Sequence, residues 1–215
     1  MKKNGAAFLQ IVSRSNFRCS VWDPYEYRQG SYQECLGAFA NVVPLSASGQ
    51  PGNVWRFAPV EYRHIARGRL PLFMVEAHSA ESAVGLRYAP EGSLLFGTMR
   101  AYLGNLAVIP LAEWIGEAAS FNASVKSEFV RVIPKDGLTF FWWAYLQSQQ
   151  FLHNLPIGSG GTRPRVNCAG LAQTPVSIPE ESVRAELHRQ LQESSKTMWK
   201  QYIMTDGNIS EIIGL

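Results

Sequence analysis

The sequence is poor in the residues that most catalytic chemistry needs. Only three aspartates occur among 215 residues, Asp23, Asp136 and Asp206. No PD…ExK-type pattern accompanies them, which argues against a metal-dependent nuclease built on clustered carboxylates. The four histidines, His64, His78, His153 and His188, are scattered with no paired spacing for a metal. Cysteine is scarce too: Cys19, Cys35 and Cys168 form an odd set with no CxxC spacing. That disfavours a disulfide framework or a structural zinc and fits a reducing cytoplasm. Cys168 is the best nucleophile candidate, yet no His or Asp stands beside it in sequence. No GxSxG, HExxH or GxxxxGK[ST] motif is present. No stretch approaches about 18 consecutive apolar residues, so no transmembrane helix is expected. The N-terminus starts like a signal peptide, but its apolar run stops at Val12 and Arg14 follows, too short for a full apolar core. No internal repeat is visible.

What is present is apolar material and a modest positive charge. Hydrophobic residues make up 46% and charged residues 17%, enough to bury a core and too little charge for wholesale disorder. The length suits one domain of ordinary size, or one with an appendage. A net charge of +3 is compatible with an anionic partner without being diagnostic of one.

Read in order, the chain alternates short strands and helices. Residues 8–12 form a short apolar strand followed by Arg14 and Arg18. Trp22-Asp23-Pro24-Tyr25-Glu26-Tyr27 is aromatic-rich, and Asp23-Pro24 suits a turn or helix start. The spacing of Tyr32, Cys35, Leu36 and Phe39 predicts a helix over 31–39. A strand begins at 42–45, a loop covers 46–53, a short strand covers 54–57, and 60–65 suits a helical turn. Arg56, Arg63, Arg67 and Arg69 make this the most basic span, either a DNA-facing surface or a solvated face. A strand is expected at 72–75. Strands at 94–96 and 106–109 enclose a bend with exposed Arg100 and Tyr102, and Asn105 sits where side chains leave the sheet. Residues 121–126 and 128–133 add strands. An apolar stripe of Leu138, Phe141, Trp142, Tyr145, Leu146 and Leu152 predicts a helix over 138–155. An edge strand interrupted by Pro175 is expected at 171–178. From 180 to about 204 a second helix carries Leu187, Leu191, Ser194 and Met198 on a heptad-like seam, extended by Val183 and Tyr202. Such a seam packs on another helix or on its own domain. Residues 207–215 are a small tail.

Between the two helical stretches lies Gly158-Ser159-Gly160-Gly161-Thr162-Arg163-Pro164-Arg165-Val166-Asn167. Glycines free the backbone for close approach, and two arginines flank a proline. That combination suits a phosphate backbone or a base edge. Gly and Pro chiefly punctuate structure, so by itself the stretch reads first as a solvated turn.

In context, the residues resemble a known family. Arg18 with Asp23-Pro24-Tyr25-Glu26-Tyr27 comes first, then Glu91-Gly92-Ser93-Leu94-Leu95-Phe96-Gly97-Thr98-Met99-Arg100-Ala101-Tyr102-Leu103-Gly104-Asn105. The run from Ser127 to Pro134, the aromatic helix, the Gly-rich Thr162-Arg163-Pro164-Arg165 loop and Val176-Ser177-Ile178-Pro179 follow in order. Over roughly residues 18–200 this resembles a target recognition domain of the specificity subunit of type I restriction-modification systems. The resemblance implies an α+β fold: a mixed, strongly twisted sheet with flanking helices, plus a C-terminal helix of coiled-coil type. It divides the chain into a recognition domain over 1–179, a helix for spacing, dimerisation or docking over 180–206, and the tail. It implies a subunit without chemistry of its own and without a cofactor, S-adenosylmethionine and ATP belonging to partner subunits. Those partners are double-stranded DNA, methyltransferase subunits and a restriction subunit, in the cytoplasm and away from membranes. The family carries two recognition domains, this chain one. Its exit segment Pro179-Glu180-Glu181-Ser182 lacks the usual proline pair and following Gln, and its helix is short. It therefore reads as a half-size subunit that forms a homodimer through the C-terminal helix, as a truncated product, or as an excised domain.

On this reading the DNA-contacting candidates are Thr162, Arg163, Arg165 and Asn167 in the loop, then Arg100, Tyr102 and Asn105, then Arg18. Arg pairs with guanine and Asn with adenine in the major groove. Arg163 and Arg165 are alternatively scaffold arginines that tie the loop to the core. The rival function is a protein-interaction or anti-restriction module that uses the helical seam and reads no DNA. A fused methyltransferase fragment would need an Asn-Pro-Pro-Tyr-like site and a cofactor loop, and the sequence has neither.

Overall fold

The computed structural model describes residues 34–46, 53–54, 59–65, 86–126, 128–156, 158 and 162–213. The expectations for 1–33, including Arg18, for Arg56, Arg67 and Arg69, for the strand at 72–75 and for the glycine tip 159–161 lie outside these residues.

Apolar runs form the central strands, uninterrupted in Leu94–Gly97 and broken by Arg131 in Phe129–Pro134. Strands β1 (Ala40–Pro44), β4 (Leu94–Gly97), β5 (Leu106–Val108) and β7 (Phe129–Pro134) make one sheet in the order β1-β7-β4-β5, antiparallel throughout. Every residue of β4 and β5 is buried, as a strand covered on both faces requires. A second sheet has β6 (Phe121–Lys126) at its centre, parallel to β2 (Asn53–Val54) and antiparallel to β3 (Leu86–Pro90). The architecture is thus α+β, with two sheets where the sequence reading expects one mixed sheet. Two of the passages between the sheets are tight corners. One is the Pro90-Glu91-Gly92 turn from β3 to β4, which the sequence announces. The other is the short connection from β6 to β7, which contains Glu128.

The helices depart further from expectation. The long helix expected over 138–155 is two helices, α2 (Thr139–Tyr145) and α3 (Gln149–His153). Ser148 starts the second by accepting the Phe151 N–H at 3.2 Å, which ends propagation of the first. Both still present their rings to one core, so the apolar stripe runs across the break. Phe141, Trp142, Tyr145 and Phe151 form a chain of ring contacts that reaches Phe96 of β4 at 6.4 Å.

The edge strand expected at 171–178 is instead helix α4 (Cys168–Ala172) followed by a single bridge between Pro175 and Cys35. Asn167 caps its start, and the Thr174 hydroxyl donates to the Gly170 carbonyl near its end. Helix α1 (Leu36–Phe39) is shorter than expected, because Glu34 and Cys35 already run extended beside this bridge. A 3-10 turn at Tyr62–His64 matches the expected helical turn at 60–65.

Helix α5 (Glu181–Ile213) runs past residue 206, where the sequence reading stops it. It packs on α2 and on the 3-10 turn Ala112–Trp114. Trp199 and Ser195 are fully buried there, and Leu191 and Tyr202 pack on the same core. Arg184 pairs with Asp136 at 3.7 Å, and the Nδ1 of His188 accepts the Phe140 N–H at 3.2 Å. The docked stripe is therefore Arg184, His188, Leu191, Ser195, Trp199 and Tyr202. It shares only Leu191 and Tyr202 with the expected seam. Val183 and Leu187 are 48% and 42% exposed. No helix among the described residues is long and apolar enough to cross a membrane.

Candidate nucleic-acid interface

Two segments distant in sequence meet on the surface. Met99 and Arg165 form an isolated antiparallel bridge. The Val166 N–H donates to the Thr98 carbonyl at 3.1 Å, and the Arg100 N–H donates to the Pro164 carbonyl at 2.8 Å. The bend after β4 and the loop before α4, singled out separately in the sequence, are thus one structural unit. The Arg100 guanidinium reaches the Thr162 carbonyl at 3.4 Å.

A glycine makes the approach feasible. A Cβ on Gly158 would lie 2.8 Å from the Arg165 nitrogen and 2.9 Å from its carbonyl carbon. Such contacts are with backbone and cannot be relieved by a rotamer change. Glycine at position 158 thus has a steric reason, and not flexibility alone.

Arg100 adopts φ 48 and ψ 49, and is the one non-glycine residue with positive φ among those described. Left-handed backbone costs an L-residue about 1–2 kcal/mol. Residues held this way recur where a side chain must be aimed, although the outlier itself only motivates a functional reading. Here it opens the 3-10 turn Ala101–Leu103 and leaves Arg100 exposed beside Tyr102, which is 57% exposed. Arg163 and Thr162 are exposed across the bridge, and among the described residues Arg163 has no hydrogen-bond or ion-pair partner.

The remaining candidates divide differently. Arg165 is 52% exposed, yet its guanidinium donates to a Glu128 carboxylate oxygen at 2.6 Å. The scaffold alternative therefore describes Arg165 better than Arg163. Asn167 is exposed, but its side-chain oxygen accepts the Gly170 N–H at 2.7 Å as the cap of α4. Asn105 is a correction: only 5% exposed, it sits at the start of β5, where its carbonyl accepts the Gly97 N–H at 2.8 Å. Buried directly after the Ala101–Leu103 turn, it is not on the exposed surface that Arg100 and Tyr102 share.

Sequence reasoning misses Tyr62 and Glu128. The Tyr62 hydroxyl donates to the Glu128 carbonyl at 2.8 Å and accepts the Met99 N–H at 3.2 Å. The same carbonyl accepts the Thr98 N–H and hydroxyl, both at 2.9 Å. Burial above all pushes the Tyr62 phenol up to about 12. Its ring lies on Phe129 with centroids 4.7 Å apart. A Cβ on Gly97 would meet the ring at 2.3 Å, so Gly97 makes room for Tyr62. No local signal marks these residues, since each partner lies 37 or 66 residues away.

Charge in this unit is positive. Segments 61–65, 97–105, 126–129 and 162–167 contain Arg63, Arg100, Lys126, Arg163 and Arg165 against the carboxylates Glu61 and Glu128. Glu61 is shared by Arg63 at 3.3 Å and Lys126 at 3.7 Å. Among the described residues no group of three or more His, Cys, Asp or Glu could hold a metal ion.

No family model matches the sequence, and no curated protein matches it. Solved structures do. One is a chain from work on complex assembly and conformational transition of the type I R-M system. It has 13% identity and a TM-score of 0.45 over 84% of this chain and 43% of that one. Another is the HsdS subunit from Thermoanaerobacter tengcongensis, with 13% identity and a TM-score of 0.43 over 80% of this chain and 39% of that one. The chain spans about two fifths of the length of these structures.

Proposed function

We propose that the chain is a non-catalytic specificity subunit of a type I restriction-modification system, whose domain reads one half of a split DNA target. The observation that carries this is the bridge between Met99 and Arg165. It brings the bend that carries Arg100 and the loop that carries Arg163 into one exposed, cationic unit. Arg100 and Arg163 are its readers: both guanidinium groups are exposed, and a planar fork matches the guanine O6 and N7 acceptors in the major groove. Tyr102 lies beside them as a contact to sugar or base. Arg165 holds the loop through Glu128, and Arg63 and Lys126 add phosphate attraction. Methyltransferase and restriction subunits supply the chemistry and bind S-adenosylmethionine and ATP. The exposed side of α5, with Val183 and Leu187, offers a surface for those subunits or for a second copy of the chain.

Methylome sequencing with and without the gene tests the reading. A split adenine motif that disappears with the gene is the expected result, and its persistence defeats the proposal. The double variant Arg100→Ala, Arg163→Ala is expected to abolish that motif while the protein stays folded. On purified protein it lowers the slope of log affinity against log salt by up to about 2, one unit for each phosphate-facing cation lost. A slope unchanged while the motif is lost assigns both arginines to bases alone. A motif retained by the double variant removes them from the interface.

A further inference from the structure

We propose that Tyr62 is the positioning residue of the DNA-reading unit, its hydroxyl pinning Met99 to the Glu128 corner so that Arg100 keeps its left-handed, outward-facing conformation. The inference rests on the DNA-reading role proposed above.

Arg100 needs restraint from its neighbours. Its backbone lies at φ 48, and nothing in a free Thr-Met-Arg-Ala sequence favours that state. The conformation persists only where bonds on both sides over-determine it. On the far side the Leu103 N–H donates back to the Arg100 carbonyl at 2.9 Å, closing the 3-10 turn. On the near side, Thr98 is tied to the Glu128 carbonyl by both its N–H and its hydroxyl. Met99 stands between these clamps, and the hydrogen bond of its N–H goes to Tyr62 Oη. Removing that acceptor loosens the Thr98–Met99 peptide, which keeps only the Val166 N–H on its carbonyl. The next peptide is then held by the Arg100 N–H bond to Pro164 alone.

Tyr62 suits the task physically. Its ring is fixed between Phe129 and the space that Gly97 leaves open. Its hydroxyl is a two-way junction, donating to one corner of the fold and accepting from the turn. Burial keeps the phenol neutral well above physiological pH, so the donated proton is always present. Glu128 completes the connection, because its carbonyl holds Thr98 and Tyr62 while its carboxylate holds Arg165 on the other segment. Both reading segments are thereby referred to one corner. Displacing a contacting group by about 1 Å can cost on the order of a hundred-fold in a geometry-dependent step.

The test is Tyr62→Phe, which keeps the ring and removes both hydrogen bonds. Bound duplexes are selected from a pool of randomised sequence, and affinity for the selected duplex is compared with that for random duplex at one salt concentration. The expected result is random-duplex affinity and salt slope as in the wild type, with the ratio of selected to random affinity falling about ten-fold or more. Met99 and Arg100 amides should exchange faster in the variant, and the melting temperature should change little. An unchanged ratio overturns the proposal. So does a parallel loss of both affinities with the melting temperature, which marks a purely structural residue. In the wild type, a Met99 amide that exchanges as fast as an open loop overturns the pin without any variant. A wild-type protein that selects no sequence defeats the DNA-reading role itself, and this inference with it.

Discussion

Arg165 is half exposed, yet its guanidinium is already committed to Glu128 at 2.6 Å. A pair this open contributes about 0.2–1 kcal/mol at most to stability, so its value is geometric. Glu128 stands at the corner between β6 and β7, and Arg165 on the bridge to Met99, so the pair sets where the loop crosses the hairpin. Arg163, two residues earlier, has no such partner and projects from the same loop. Reversing the charges separates the two roles. Arg165→Glu alone should lose target-dependent methylation, and adding Glu128→Arg should restore at least half of it if Arg165 is a strut. Methylation assays on the single and double variants decide the matter; a double variant as inactive as the single one makes Arg165 a DNA contact.

Helix α5 is held to the domain partly by a histidine that must be neutral. The Nδ1 of His188 accepts the Phe140 N–H near the start of α2, where Leu138 at the cap position supplies no side-chain acceptor. A ring protonated at both nitrogens cannot accept that bond. Burial lowers the His188 pKa, and the nearby Asp136 carboxylate opposes the shift without cancelling it. The sign follows directly. The folded pKa lies below the unfolded value near 6.5, so the unfolded state takes up protons first as the pH falls. The stability contributed by this contact is complete above about pH 6.5 and is lost as the pH drops toward and through the folded pKa. His188→Gln keeps an acceptor and removes the titration. Melting temperatures at pH 7.5 and pH 5 should therefore fall less for His188→Gln than for the wild type, and equal falls exclude His188 as the cause. The junction also holds the Arg184–Asp136 pair, and its apolar part has Trp199 buried and edge-on against Tyr202 at 6.0 Å.

At the scale of the whole molecule, α5 has one face on its domain and another in solvent. Its 33 residues extend about 50 Å at the usual helical rise. The docked stripe leaves Val183 and Leu187 one turn apart on the outside, too little apolar surface to need burial and enough to nucleate helix pairing. A symmetric dimer through this face would carry two reading units and predicts a palindromic split target. Sedimentation equilibrium should show a dimer whose association weakens ten-fold or more in Val183→Glu, Leu187→Glu, with the melting temperature of the domain preserved. A monomeric wild type that still directs methylation at a non-palindromic motif would end this expectation.

The sequence by itself determined the buried strands β4 and β5, the strands β6 and β7, the presence of a long C-terminal helix and the two segments that meet at the candidate site. All of these are local: a run of apolar residues, a helical spacing or a glycine-arginine stretch is visible without knowing what it touches. Tertiary structure decided the rest. An Asn167 cap turned an apparent edge strand into α4, and a Ser148 cap broke one apolar stripe into two helices. Which side of α5 is buried depended on where Asp136, Phe140 and the Trp114 turn present themselves, and no heptad count contains that. Asn105 and Arg100 look alike in sequence as polar residues around a bend, but one is inside and the other outside because a left-handed residue opens the turn between them. Tyr62 and Glu128 were invisible for the same reason. Their roles consist of hydrogen bonds to residues dozens of positions away, and such pairings exist only once the chain has closed on itself.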